Sequence, residues 1–315
     1  MRTLVTGGAG FIGSNLVDAL IARGDEVVVV DNLSSGREAN LVGAIAGGAA
    51  LEVADIRDAD AIREIFTRAR PELVFHLAAQ ADVRRSIADP AYDAAVNVLG
   101  TINVVEAART AGAARLVNTS TGGGIYGDVE VIPTPESVVP KPLAAYGQSK
   151  QCGEQYCAWA TRLYGFPTVT VRYGNVYGAR QDPAGEAGVI AIFCGRAVTG
   201  ATPTIFGDGT QTRDYVHVSD IVAANLVAAT HPAARGEYNI GTQVESSLLE
   251  VVAALRQALP EGTTFEPEFA DARLGELQRS ALDATRAREE LGFVAQTALV
   301  DGIRQTYAAT AAALA

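Results

Sequence analysis

Lysine is nearly missing from this chain: of 25 basic residues only Lys141 and Lys150 are lysine, the rest being arginine. Each lysine position therefore carries more information than usual. Histidine is scarce too, and His76, His217 and His231 have no paired spacing, which argues against a zinc site or a Ser/His/Asp hydrolase. Cys152, Cys157 and Cys194 are an odd number outside any CxxC spacing, so they read as free thiols and no metal is expected. No run of apolar residues approaches the ~18 needed for a membrane span, and the opening MRTLVTGG has no leader pattern, so a soluble, cytoplasmic protein without membrane partners is expected. Positive charge is also short. The net charge of -11 repels a polyanion, which makes nucleic acid a poor partner and requires any anionic small molecule to be met by a few local cations.

The 315 residues are 48% apolar, enough for one large core or two unequal domains. In the first half, strand and helix signals alternate, which predicts βαβ units and a parallel sheet. Strands are expected at 27–31, 51–55, 73–78, 115–120 and 168–173. The run VVVVD at 27–31 is continuously apolar, as a strand covered on both faces should be. Helices are expected at 11–22, 60–69, 92–111 and 145–164, the third introduced by Asp89 and Pro90 as cap and first turn. From about Val176 the rhythm turns irregular. The fold class is thus α/β, a Rossmann-type doubly wound parallel sheet over 1–175, with a smaller, interleaved lobe mainly from 176–315.

TGGAGFIG, after the first strand and at the start of the first helix, sets Gly7, Gly10 and Gly13 in a spacing suited to a dinucleotide pyrophosphate, where side chains would block the turn, the backbone N–H groups and helix packing. Asp31 closes the second strand, where a carboxylate accepts ribose hydroxyls and repels a 2'-phosphate; the cofactor expected is NAD, with Arg37 the one nearby residue that favours NADP. In YGQSK, Tyr146 and Lys150 stand four apart on one helix face. A phenol needs nearby cations to act as a base near neutrality, and Lys150 with an oxidised nicotinamide supplies two. STGGGIYG, at 120–127, ends a strand where open α/β sheets bind ligands; Thr121 is the first choice for the partner hydroxyl and Ser120 the second, with the glycines letting a sugar approach the backbone.

The ordered segments TGGAGFIG, DNLSSG, ADIRD, HLAAQADVRRS, NVLGTINV, STGGGIYG, YGQSK, RYGNVYG, FGDGTQTRDYVHV, YNIGT and RLGEL resemble the extended short-chain dehydrogenase/reductase family, within it the UDP-glucose 4-epimerase branch. That resemblance implies that Phe11, Ile12, Asn32, Leu33 and Gly36 join the cofactor site, that Asp55 and Ile56 flank the adenine, and that Leu77, Ala78, Ala79, Gln80, Asn97 and Tyr173 line the NAD channel. It implies that Asn175, Arg213 and Arg273 hold the UDP diphosphate, Phe206 the uracil and Glu276 the ribose, with Gly122, Gly188, Val189 and Thr204 also at the UDP-sugar. The reaction implied is inversion at C4 through a transient 4-keto sugar, and the assembly implied is a homodimer packed through helices 92–111 and 145–164. Gly174 and Ser280 stand where bulkier residues are common, which predicts a wider pocket open to UDP-N-acetylhexosamines or other UDP-hexoses. Dehydratases and decarboxylases of the family need an acidic group beside the hydroxyl motif, and 120–127 has none; a non-enzymatic NAD sensor ranks last.

Overall fold

The computed structural model describes residues 1–183, 188–272 and 277–314. Its centre is a sheet of seven parallel strands. Six are β1 (Arg2–Thr6), β2 (Glu26–Asp31), β3 (Ala50–Val53), β4 (Leu73–His76), β5 (Arg115–Thr121) and β6 (Thr168–Tyr173), and the seventh is Gly236–Ile240. Read across the sheet, the order is Gly236–Ile240, β6, β5, β4, β1, β2, β3. The direction of winding reverses between β1 and β4, and the crevice at their carboxyl ends is where a doubly wound sheet binds its ligand.

The hydrophobic runs of the strands are explained by what covers each face. Successive side chains alternate across a strand. Val5, Val29, Phe75 and Val117 pack on one side, with Leu16 and Leu20 of helix Phe11–Ala22 and Ile221 of helix Val218–Thr230. Leu4, Val30, Val74 and Leu116 pack on the other, with Phe66 and Val104. A third apolar cluster, with Tyr177, Phe193, Leu255, Phe265 and Ile303, belongs to the later lobe, which includes helices Val189–Thr199, Leu248–Ala258 and Leu299–Leu314. The chain does not keep the halves apart: helix Val218–Thr230 and strand Gly236–Ile240 return to complete the sheet.

Two expected strands are shorter at the carboxyl end than the apolar pattern suggests, because 54–55 and 77–78 leave the sheet to form the crevice loops. The expected helix at 92–111 starts earlier and is interrupted. Asp89 accepts the Tyr92 N–H at 3.0 Å and Pro90 opens the first turn, as expected, but after Pro90–Ala94 the chain makes a wide π-helical turn at Ala95–Leu99 before Gly100–Thr110. The long helix is Ala145–Tyr164, as expected.

In the glycine turn, Gly7 has a positive φ of 71°, and a Cβ there would lie 2.6 Å from the Ala78 nitrogen. A Cβ on Gly13 would run into the Gly7 carbonyl. Gly13→Ala is therefore expected to lower stability by roughly 1–3 kcal/mol, as overpacking does. Gly43, with open space around its Cβ position, is the control; Gly43→Ala should leave the midpoint in urea unchanged or raise it.

Candidate active site

The mouth of the crevice is framed by unused backbone donors. Helix Phe11–Ala22 has no side-chain cap and no acidic residue in its first turn, so its N–H groups face the glycine turn, a setting that suits a pyrophosphate. Asp31, buried at the end of β2, accepts the backbone N–H groups of Ala9 and Leu33, each at 2.9 Å. Each oxygen keeps a further lone pair. A Cβ on Gly36 would sit 2.8 Å from the same carboxylate, so glycine keeps this corner open to a ligand. Arg37 turns away to Asp182. Asn32 donates to Asp55 at 2.9 Å, and hydrogen bonds from Arg57 hold the Asp55 carboxyl well below the usual range. Ile56 is buried against Gly100. These features fit a dinucleotide with a free ribose diol.

Beyond β4, the segment Leu77, Ala78, Ala79, Gln80 is tied down from both sides. Ala78 N–H reaches the Thr6 hydroxyl at 3.3 Å, and Gln80 N–H reaches the Asn97 Oδ1 at 2.8 Å. His76 lies beneath, bonded to Thr6 at 2.7 Å and Thr101 at 3.0 Å. Burial, helped by the Lys150 charge, pushes its pKa down to about 3. The unfolded chain binds a proton near pH 6.5 and the folded one does not, so stability falls as pH drops through that window. From pH 7 to pH 5 the expected loss through this residue is about 2 kcal/mol, visible as a slope in urea unfolding that His76→Gln removes.

Tyr146 and Lys150 occupy one face of the long helix near its start. Gly147 lets that helix approach, since a Cβ there would collide with the Gly124 carbonyl. Thr121 Oγ1 accepts the Gly124 N–H at 3.1 Å, and the Thr121 side chain and the Tyr146 ring flank the same point, the Gly124 Cβ position. Ser120 is buried, and its hydroxyl has no partner among the described residues. Of the two candidate hydroxyls, Thr121 is the one that shares the Gly124 position with the Tyr146 ring. The three glycines divide their tasks. The Gly122 Cβ position is filled by Leu282, whereas those of Gly123 and Gly124 face residues assigned to the substrate, Asn175 Oδ1 at 3.4 Å and Thr121 Oγ1 at 3.3 Å. The reading of the whole triplet as a sugar passage is thus narrowed to Gly123 and Gly124.

Electrostatics also depart from expectation. Burial pushes the Tyr146 phenol up to about 12; the Thr121 hydroxyl opposes this and the Asp93 charge adds to it. Lys150 is held at about 8, burial lowering it and Glu154, Cys157 and Asp93 raising it. At about 8 the lysine is charged at neutral pH.

Tyr173 turns its hydroxyl into the fold, to Thr119 at 3.1 Å and Asn225 at 2.7 Å. Asn175 is anchored by its N–H to the Asp214 carbonyl at 2.7 Å. Gly188 precedes helix Val189–Thr199, Thr204 and Phe206 end a short strand, and Arg213 Nη1 donates to the Thr212 carbonyl at 2.7 Å. Arg273 and Glu276 lie outside the described residues. The expectation that Gly174 widens the pocket is corrected: a Cβ there would point at the Asp214 carbonyl, 2.8 Å away, so glycine permits backbone packing at that place.

Sequence reasoning missed the buried polar layer beneath the pair. Asn97 Nδ2 bridges the Gln80 carbonyl, Asp93 and the Ser149 hydroxyl, and Ser149 donates to the Tyr146 carbonyl at 3.0 Å. The one signal available was Asp93 four residues before Asn97, a helical spacing.

A model of the NAD dependent epimerase/dehydratase family matches residues 3–241. The chain is 50% identical to a UDP-glucose 4-epimerase of Mycolicibacterium smegmatis, over 97% of each chain. A solved UDP-glucose 4-epimerase of Thermotoga maritima, with UDP-glucose, is 43% identical over the full length of both chains, with a TM-score of 0.95. One of Thermus thermophilus, in complex with NAD, is 41% identical over 98% of this chain and 99% of its own, with a TM-score of 0.90.

Proposed function

From the premise that this chain belongs to the NAD dependent epimerase/dehydratase family, we propose that it is an NAD-dependent UDP-glucose 4-epimerase, an isomerase that interconverts UDP-glucose and UDP-galactose. The observation that carries the reading is the Tyr146 ring and the Thr121 side chain converging on Gly124 at the end of β5, with Lys150 one helical turn further on.

NAD, when bound, supplies reversible hydride acceptance at the sugar C4 and a second positive charge near the phenol. Gly7, Gly10, Gly13 and the first turn of helix Phe11–Ala22 hold its pyrophosphate, and Asp31 its ribose. Tyr146 removes the proton of the sugar 4-hydroxyl and later returns it to the ketone oxygen after the sugar has turned its other face. Thr121 holds that oxygen in place. Lys150 keeps a cation beside the phenol at neutral pH. Asn175 and Arg213 bind the UDP diphosphate, and the hexose is held loosely beside Gly123 so that it can rotate.

Incubation with UDP-glucose, UDP-N-acetylglucosamine and UDP-glucuronate in turn, with products read by NMR, tests the reading. Inversion at C4 of UDP-glucose without loss of water or carbon dioxide is expected; a 4-keto-6-deoxy product would point to a dehydratase and overturn it. The free thiols suit a reducing, cytoplasmic setting. A homodimer is supported by an exposed apolar stripe on the long helix, Tyr156, Trp159 and Leu163, with Trp159 edge-on to Tyr156 and Tyr164. Trp159→Glu should convert the protein to monomer in sedimentation, while an unchanged mass would rule this face out.

A further inference from the structure

Asp214 sits where the strands that carry Asn175 and Arg213 meet. It follows Arg213, the last residue of strand Thr212–Arg213, and precedes strand Tyr215–His217, which pairs in parallel with Asn175–Tyr177. Strand Thr212–Arg213 is only two residues long and pairs with Ser246–Ser247. So short a bridge holds a backbone weakly, and the direction of Arg213 needs a firmer anchor.

The Asp214 side chain supplies one. The residue is 1% exposed and gathers donors from two distant segments. One carboxylate oxygen accepts the Thr242 N–H at 2.8 Å and the Thr242 hydroxyl at 2.7 Å; the other accepts the N–H groups of Gln243 at 3.1 Å and Leu282 at 3.2 Å. The Asp214 backbone carbonyl accepts the Asn175 N–H at 2.7 Å. Leu282 in turn fills the Cβ position of Gly122, next to Thr121. The surroundings are shaped for this one residue. A Cβ on Gly241 would lie 2.3 Å from Asp214 Oδ2, and one on Gly174 would lie 2.8 Å from the Asp214 carbonyl. Gln243 takes a φ of 65°, in the left-handed region that a side chain disfavours, and from that turn its N–H reaches the carboxylate. Such strain persists only where neighbouring contacts over-determine it. Resting on the assignment of Asn175 and Arg213 to the diphosphate, we infer that Asp214 is a positioning residue for UDP, its carboxylate locking residues 242, 243 and 282 to the Arg213 junction and its carbonyl setting Asn175 beside them. With both oxygens buried and occupied, it acts through these neighbours.

Asp214→Asn breaks the lock whichever way the amide turns, because its NH2 group then faces at least one backbone N–H. In the NAD-loaded protein the Kd for UDP, measured by calorimetry well below the unfolding midpoint, should rise by roughly tenfold, and KM for UDP-glucose with it, while NAD content stays that of the parent. Gly241→Ala, which displaces the carboxylate and keeps its charge, should do the same, and it serves where the Asn variant does not fold. Loss of stability alone is controlled by Ile303→Ala, which opens a cavity in the core of the later lobe and should bind UDP as the parent does. Unchanged UDP affinity in a folded Asp214→Asn or Gly241→Ala protein, or an equal loss in Ile303→Ala, overturns the inference. If the parent protein itself binds no UDP, the failure lies with the assignment of Asn175 and Arg213 instead.

Discussion

Tyr146→Phe is expected to reduce kcat for C4 inversion by about 10²–10⁴-fold while leaving the fold and NAD binding nearly intact, the range for loss of a positioned general acid/base. Removing one hydroxyl takes away the proton acceptor and nothing that supports the core. The phenol ring packs beside Gly124 and the Thr121 side chain, so the ring can stay where it is. Thr121→Ala should cost less, because Tyr146 still carries the proton; the Gly124 N–H also loses its acceptor. Both are read from initial rates at saturating UDP-glucose, with NAD content checked by absorbance. Full activity in Tyr146→Phe would remove the basis of the proposed mechanism.

Glu154→Ala is expected to destabilise the protein by about 3–5 kcal/mol in urea unfolding. Glu154 and Arg172 have side chains only 4% and 6% exposed, and the pair links the catalytic helix to β6. Arg172 also donates to the Tyr126 hydroxyl at 2.8 Å, which donates in turn to Asn239 Oδ1 at 2.8 Å. Deleting one partner strands a guanidinium in an apolar setting. Replacing both, as Glu154→Leu with Arg172→Met, should recover most of the loss, since the desolvation of two charges offsets much of their attraction, and Tyr126 retains Asn239. A single variant as stable as the double one would show that water reaches the pair.

Much of the site was legible because its chemistry is local. A glycine turn between strand and helix, an aspartate ending the second strand, and a tyrosine and lysine four residues apart are all short-range patterns whose geometry follows from helix and strand periods. The π-helical turn at Ala95–Leu99 was not legible, because it arises in a sequence whose propensities are those of an ordinary helix. Gly174 misled for a related reason. A glycine states that a side chain is missing but not which way it would have pointed, and here it would have met Asp214.

By itself the sequence determined the parallel sheet and singled out the glycine turn, Asp31, Tyr146 and Lys150 as candidates, since strand alternation, covered faces and helical spacing are properties of neighbouring residues. Only the tertiary structure decided that Thr121 shares the Gly124 position with the Tyr146 ring, that Glu154 is engaged by Arg172, and that one Asp93 oxygen has no hydrogen-bond partner among the described residues. Those outcomes depend on burial and on partners brought in from distant segments, and the energy of a charge or a hydroxyl is set by what surrounds it in space.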